Sequence, residues 1–339
     1  MRALRPPRPA GNPAVTTGAP SRTLEVDDRP GPPGPDGHAA APGRRRGRGR
    51  QHSVQAEAEQ LMSPWLAKLV VAVIVLIVLV PVGYMLALSF TPNQDVALGT
   101  VSFATLTLEN YVHMWSDAPL ASGLVNTLII AGGAALASVA VGLLAAYPLT
   151  RFSFRGRRGY LYTLIGVQTV PATTLLLPLF AVFSWIQTTI SLHLIGTYWP
   201  IIITYMTFGV PLSTWVLVLY LRSVPRDMEE AALVDGCSPL KALWRVVVPV
   251  ALPAIVVAFV FTFLVGWNDV LFASVLTNQS TGTLAIAIER FASTANGDSL
   301  PIYGELMAAA VVSSLPVVVL YLCFQRYLVH GLAAGSATG

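Results

Sequence analysis

Charge is what this 339-residue sequence has least of: 11% of its residues are Asp, Glu, Lys or Arg, against roughly 25% in an ordinary soluble domain. That shortage argues against a freely soluble enzyme. Lysine is scarcer still. Lys68 and Lys241 are the only two, followed by Leu69 and Ala242, so there is no G-x-x-x-x-G-K-[ST] loop and no P-loop route to ATP hydrolysis. Cys237 and Cys323 are too few for a disulfide framework and stand in no C-x-x-C spacing. The five histidines (His38, His52, His113, His193, His330) are scattered without an H-E-x-x-H pairing, which leaves a metal centre or histidine-based catalysis unsupported. Carboxylates are missing from the interiors of the long apolar runs, so the buried proton relay of a pump is absent too. A chain of this kind moving a solute uphill would draw its energy from another molecule.

The charge that is present is placed unevenly. Residues 1–61 hold 10 of the 21 Lys+Arg and 6 of the 17 Asp+Glu, so this tail carries +4 and the rest of the chain sums to zero. The same segment has 10 of the 25 prolines, eight glycines and the run Arg44-Arg45-Arg46-Gly47-Arg48-Gly49-Arg50. With few large apolar side chains to bury, it cannot offset its chain entropy by packing and is expected to be a disordered cytoplasmic tail. Its arginines suit anionic lipid head groups beside the first span. Nucleic acid is disfavoured as a partner, because the tail has no aromatic side chain for bases to stack on. The first apolar run begins too late for a signal peptide, and Met62 offers an alternative start.

A hydrocarbon core takes about 20 apolar residues as helix. Spans are expected at about 66–90, 120–149, 160–186, 198–221, 246–269 and 305–326, giving an all-α integral membrane domain over 62–339. The hardest division is Gly159–Leu221, which contains no Asp, Glu, Lys or Arg and is too long for one helix. Basic residues test the count. The tail with Lys68, the 151–158 loop, the 222–245 loop and Arg326 together hold 20 of the 21, and only Arg290 falls on the other side. That asymmetry predicts six spans with both termini cytoplasmic. Pro81, Pro148, Pro171, Pro178, Pro211 and Pro316 permit kinks within the spans.

Between the fourth and fifth spans runs Arg222-Ser223-Val224-Pro225-Arg226-Asp227-Met228-Glu229-Glu230-Ala231-Ala232-Leu233-Val234-Asp235-Gly236-Cys237-Ser238-Pro239-Leu240-Lys241-Ala242-Leu243-Trp244-Arg245. Pro225 suits a first helical position, acidic residues fill the first turn, and Gly236 is placed to end the helix. Ser238-Pro239 then caps a second helix with Leu240, Leu243, Trp244 and Val247 on one face and Lys241 and Arg245 on another. The sequence predicts a helix-turn-helix over 222–249.

This loop, Glu230-Ala231-Ala232, three residues, Gly236, nine residues, then Val246-Val247-Val248-Pro249, resembles the E-A-A-x(3)-G-x(9)-I-x-L-P loop of the membrane subunits of binding-protein-dependent ABC importers. Val246 and Val248 replace its usual Ile and Leu. The resemblance covers roughly residues 109–336, with Asn126-Thr127, Gly266-Trp267-Asn268-Asp269-Val270-Leu271-Phe272-Ala273 and the ending Gln325-Arg326-Tyr327-Leu328-Val329-His330-Gly331, and is similar to the six-span, maltose-type carbohydrate subfamily. It implies a type I ABC importer transmembrane domain in the bacterial inner membrane, a non-enzymatic permease for a sugar or related carbohydrate. Its implied partners are a second permease subunit, as a heterodimer, two ATPase subunits and an extracytoplasmic solute-binding protein. ATP and Mg would sit on the ATPase, with no cofactor on this chain. Glu230, Ala231, Ala232, Asp235, Gly236, Leu240, Trp244 and Pro249 are the implied ATPase-coupling residues. Glu230 would offer a carboxylate to a basic cleft, the two alanines would allow close approach and Gly236 would permit the turn.

Sugars are held by aromatic faces and by amide or carboxylate hydrogen bonds. The candidate substrate-path residues are Asn126, Gln168, Thr173, Thr174, Tyr205, Trp267, Asn268 and Asp269, each of which could instead bond a neighbouring helix. Importers for glycerol-phosphate-like compounds or amino sugars are alternatives. A self-sufficient carrier predicts intramembrane charge or an inverted repeat, and a membrane enzyme predicts a catalytic cluster; neither signal is present.

Overall fold

The computed structural model describes residues 64–98, 105–294 and 302–336, and the regular structure among them is helical throughout. The expected disordered tail lies outside the described residues. The chain divides into Met1–Leu69 and Val70–Gly339, and of the first part only 64–69 is described, as the opening of a helix.

The helices are α1 (Pro64–Ser89), α2 (Asn93–Ala97), α3 (Glu109–Asp117), α4 (Leu120–Arg151), α5 (Arg157–Thr169), α6 (Ala172–Ile190), α7 (Tyr198–Ser223), α8 (Asp227–Val234), α9 (Pro239–Ala242), α10 (Val248–Trp267), α11 (Leu271–Leu276), α12 (Leu284–Thr294) and α13 (Tyr303–Ser336). A π turn, Leu243–Val247, joins α9 to α10. Among the described residues six stretches are long and apolar enough to cross a membrane: Trp65–Ser89, Leu120–Arg151, Ala172–Ile190, Tyr198–Ser223, Pro239–Trp267 and Tyr303–Tyr327.

Two stretches depart from the expected bounds. The segment expected as one span over 160–186 is two helices, α5 and α6, and only α6 has the length of a span. Pro171 has no N–H to continue α5 and forces the residue before it out of helical geometry; Val170 accordingly takes an extended ψ of 124°. The fifth span starts earlier than 246, because α9, the π turn and α10 run on as one rod. Pro249 cannot donate to the Arg245 carbonyl, and the local pitch widens so that the Val248 N–H reaches Leu243 O.

The centre of the bundle is α4 packed along α7, with α10 against both. Small side chains permit that approach. A Cβ on Gly209 of α7 would lie 2.5 Å from both Ser138 Oγ and Thr262 Cγ2, so only glycine fits where α4, α7 and α10 converge. Ser213 and Thr262 hydroxyls meet nearby at 3.2 Å, a polar contact of the kind that holds helices together in lipid. By contrast, α1 exposes apolar side chains along most of its length, Val71 to Val80 included. Such a surface suits hydrocarbon or another helix rather than water.

Apolar clusters fill both ends. Leu143, Ala146, Leu217, Leu221, Leu243, Val247 and Ala251 pack where α4, α7 and the 222–249 loop meet. At the opposite end Met114, Leu120, Trp267, Leu284, Phe291 and Ala308 pack together. There a polar clasp ties the entry of α13 to the segment after α1: Asn93 Nδ2 donates to Glu305 Oε1 at 2.8 Å, and the Gly304 N–H donates to Asn93 Oδ1 at 2.8 Å. Asn110 Nδ2 reaches the Ser89 and Thr91 carbonyls at 3.0 and 2.8 Å.

Candidate functional sites at the two ends of the bundle

The 222–249 segment is a helix-turn-helix. α8 begins at Asp227, two residues after Pro225, and Asp227, Glu229 and Glu230 occupy its first turn. It ends in a Schellman turn: the Cys237 N–H donates to Ala232 O at 3.0 Å and the Gly236 N–H to Leu233 O at 3.1 Å. Gly236 sits at φ +83°, a left-handed conformation that costs a side chain about 1–2 kcal/mol. Open space surrounds the position where its Cβ would be, so backbone conformation and not crowding selects glycine. Ser238 caps α9 through its hydroxyl, which accepts from the Lys241 N–H at 3.4 Å, with Pro239 at the first position.

The expected single apolar face of the second helix is split. Leu243 and Val247 are buried in the core, whereas Leu240 and Trp244 are exposed at 60% and 55%. The π turn inserts an extra residue per turn and rotates the two pairs apart. Glu230, Ala231, Asp235, Gly236 and Pro249 are exposed and Ala232 is half-buried. Val234, at 87%, is the most exposed large apolar side chain of the segment. The loop therefore presents carboxylates, small residues and the large apolar side chains of Met228, Leu233, Val234, Leu240 and Trp244 outward.

Glu229, one residue before Glu230, is buried. Its Oε2 accepts from Arg151 Nε at 2.7 Å and its Oε1 accepts from the Tyr147 hydroxyl. Arg151 Nη1 also donates to Leu221 O at 3.2 Å, and Arg226 Nη2 to Thr150 O at 3.0 Å. These groups line a small concavity of about 140 Å³ with Phe152, Glu230, Leu233 and Pro239. Sequence reasoning missed this cluster. The available signal was Arg151 itself, a cation closing a long uncharged run and needing an anion when buried.

At the opposite end the candidate path residues fall into three groups. Asn126 is buried: its Nδ2 donates to Ser280 O and Gly282 O, both at 2.9 Å, and its Oδ1 accepts from the Tyr198 hydroxyl at 2.7 Å. It clasps the 277–283 turn to α4 and α7. Tyr205, 2% exposed, donates to Asp269 Oδ2 at 2.9 Å, and the same carboxylate accepts the Phe272 and Ala273 N–H groups at 3.1 Å. Asp269 lies just beyond the span that ends at Trp267, and burial raises its carboxyl above the usual carboxylate range against those stabilising bonds.

Trp267 and Asn268 form the second group. They line a concavity of about 330 Å³ with Val270, Ile288, Glu289 and Ser313, within the size range of small-molecule sites. Trp267 stacks on Phe263 at 5.3 Å between ring centroids, and Asn268 Nδ2 bonds Leu264 O at 2.9 Å. Glu289, absent from the sequence expectations, adds a carboxylate to this wall. Gln168, Thr173 and Thr174 form the third group, exposed; Gln168 Nε2 reaches Phe208 O at 3.3 Å. Among the described residues no three His, Cys, Asp or Glu side chains gather as a metal site.

A six-span helical bundle that presents a capped helix-turn-helix between its fourth and fifth spans is the architecture of a membrane transport component. Residues 138–333 match the family described as "Binding-protein-dependent transport system inner membrane component", and the chain belongs to that family, as a multi-pass protein of the inner membrane. It is 32% identical over 262 residues to the trehalose transport system permease protein SugB of Mycobacterium tuberculosis, covering 77% of this chain and 93% of the relative. It is 33% identical over 267 residues to the trehalose/maltose transport system permease protein MalG of Thermococcus litoralis, covering 78% and 93%. In fold it is similar to a bacterial ABC transporter involved in import of the acidic polysaccharide alginate, with a TM-score of 0.60 at 20% identity over 85% of this chain and 99% of that one.

Proposed function

We propose that this chain is the permease subunit of an ATP-driven importer for a sugar or related carbohydrate, in which the 222–249 loop docks on a cytoplasmic ATPase. The observation that carries the docking role is the outward presentation of Glu230, Val234, Leu240 and Trp244 on a loop anchored to the core by the buried Leu243 and Val247. An exposed carboxylate and exposed large apolar groups on one two-helix projection match what a cleft with a basic wall would bind. Both termini and the loop lie on the cytoplasmic side in this reading, as the distribution of Lys and Arg requires.

The carbohydrate part rests on the relatives, named for trehalose and for trehalose and maltose. It also rests on the wall formed by Trp267, Asn268 and Glu289, the aromatic, amide and carboxylate types that bind polyols. The remaining partners are a second permease subunit and an extracytoplasmic solute-binding protein; an alginate transporter of the same fold is known with a periplasmic protein bound. The chain itself carries no hydrolytic role, and ATP and Mg belong to the ATPase.

Purifying the tagged, detergent-solubilised chain from its native membrane tests the reading. A P-loop ATPase should co-purify with the wild type and be lost or weakened with Glu230→Ala, while both proteins remain in the membrane. Transport by the isolated chain in liposomes without ATP would overturn it.

A further inference from the structure

Adjacent glutamates on a helix point about 100° apart, and α8 uses that angle to separate two roles. Glu230 is exposed, whereas Glu229 is 7% exposed. α8 has eight residues, too few to be stable alone in water, so its direction is set by what holds it. It packs on the π turn and α9, and side-chain bonds tie it to the last turn of α4. Tyr147 and Arg151 both bond the Glu229 carboxylate, the guanidinium also grips the end of α7 at Leu221 O, and Arg226 at the head of α8 bonds Thr150 O.

An apolar contact alone would let so short a helix roll. A buried charged bond fixes its register, because sliding would leave Glu229 or Arg151 desolvated without a partner. We propose that Glu229, Arg151 and Tyr147 form a latch that makes α8 and α4 move as one body, so that displacement of the docked loop is passed into the second span. Glu229 is thus a positioning residue for coupling, and Glu230 the docking residue. This rests on the ATPase-docking reading above.

The test uses the full transporter in lipid nanodiscs, with spin labels at Ser122→Cys, at the far end of α4, and Val234→Cys, at the exposed end of α8, in a Cys237→Ser, Cys323→Ser background. Distances are measured without nucleotide and with ATP, Mg and vanadate. The wild-type distance should stay narrow and unchanged, while Glu229→Gln, which is uncharged and keeps the shape, should broaden or shift it on nucleotide addition with the ATPase still bound. The pair Glu229→Arg with Arg151→Glu should restore a single narrow distance.

Tyr147→Phe, which leaves the ion pair and cannot plausibly unfold the chain, should give an intermediate broadening. A distance that changes with nucleotide in the wild type, or Glu229→Gln and Tyr147→Phe distances indistinguishable from it, overturns the latch while the docking reading stands. A wild-type preparation that retains no ATPase overturns both.

Discussion

The loop end of the bundle joins its elements around a charge pair, and the opposite end joins them through hydrogen bonds from uncharged donors. At the loop end Glu229 and Arg151 meet at 2.7 Å with side chains 9% and 7% exposed. At the opposite end Asn126 holds two carbonyls of the 277–283 turn, and Asp269 takes two backbone N–H groups and the Tyr205 hydroxyl. The difference follows from what is being held. The turn has its own unsatisfied carbonyls, which an amide can fill at little desolvation cost. α8 closes its C-terminal carbonyls with its own Schellman turn, so its tie to α4 is made by side chains, and a buried carboxylate needs a cation.

Three substitutions would break or sharpen this contrast. The largest effect is expected from Arg151→Ala, which leaves Glu229 buried without its cation and should cost about 3–5 kcal/mol, read as a lowered thermal unfolding temperature of the solubilised chain. A loss no larger than that of the variants at the opposite end would erase the distinction. Asn126→Leu removes three neutral hydrogen bonds while keeping the volume and should cost about 2 kcal/mol; protease cleavage at the 277–283 turn should accelerate in step. Tyr205→Phe deletes one bond to a carboxylate that keeps its backbone donors, so about 1 kcal/mol is expected. A much larger drop would mean that Asp269 depends on the tyrosine for its charge balance.

The 222–249 segment was legible because its signals are local. Gly236 at a positive φ, Ser238 as a cap and Pro239 behind it each act within one turn of chain, and the structure has each in that place. The split of Leu240 and Trp244 from Leu243 and Val247 was not legible. It depends on a π turn set by Pro249, which breaks the regular period on which a helical face is read. At the opposite end the sequence singles out Asn126, Tyr205, Trp267, Asn268 and Asp269 by residue type. Which of them clasp a turn and which line the 330 Å³ concavity depended on residues distant in sequence, Asn126 meeting Gly282 and Trp267 sharing a wall with Glu289 and Ser313.

The sequence by itself determined that this chain spans a membrane as helices, how many times, and where its projecting helix-turn-helix lies. Those follow from apolar run length, the placement of Lys and Arg, and the caps, all of which act along the chain. Only the tertiary structure decided that Glu229 turns inward while Glu230 turns outward. Two neighbours of identical chemistry are told apart only by the face that Tyr147 and Arg151 of a distant helix happen to meet.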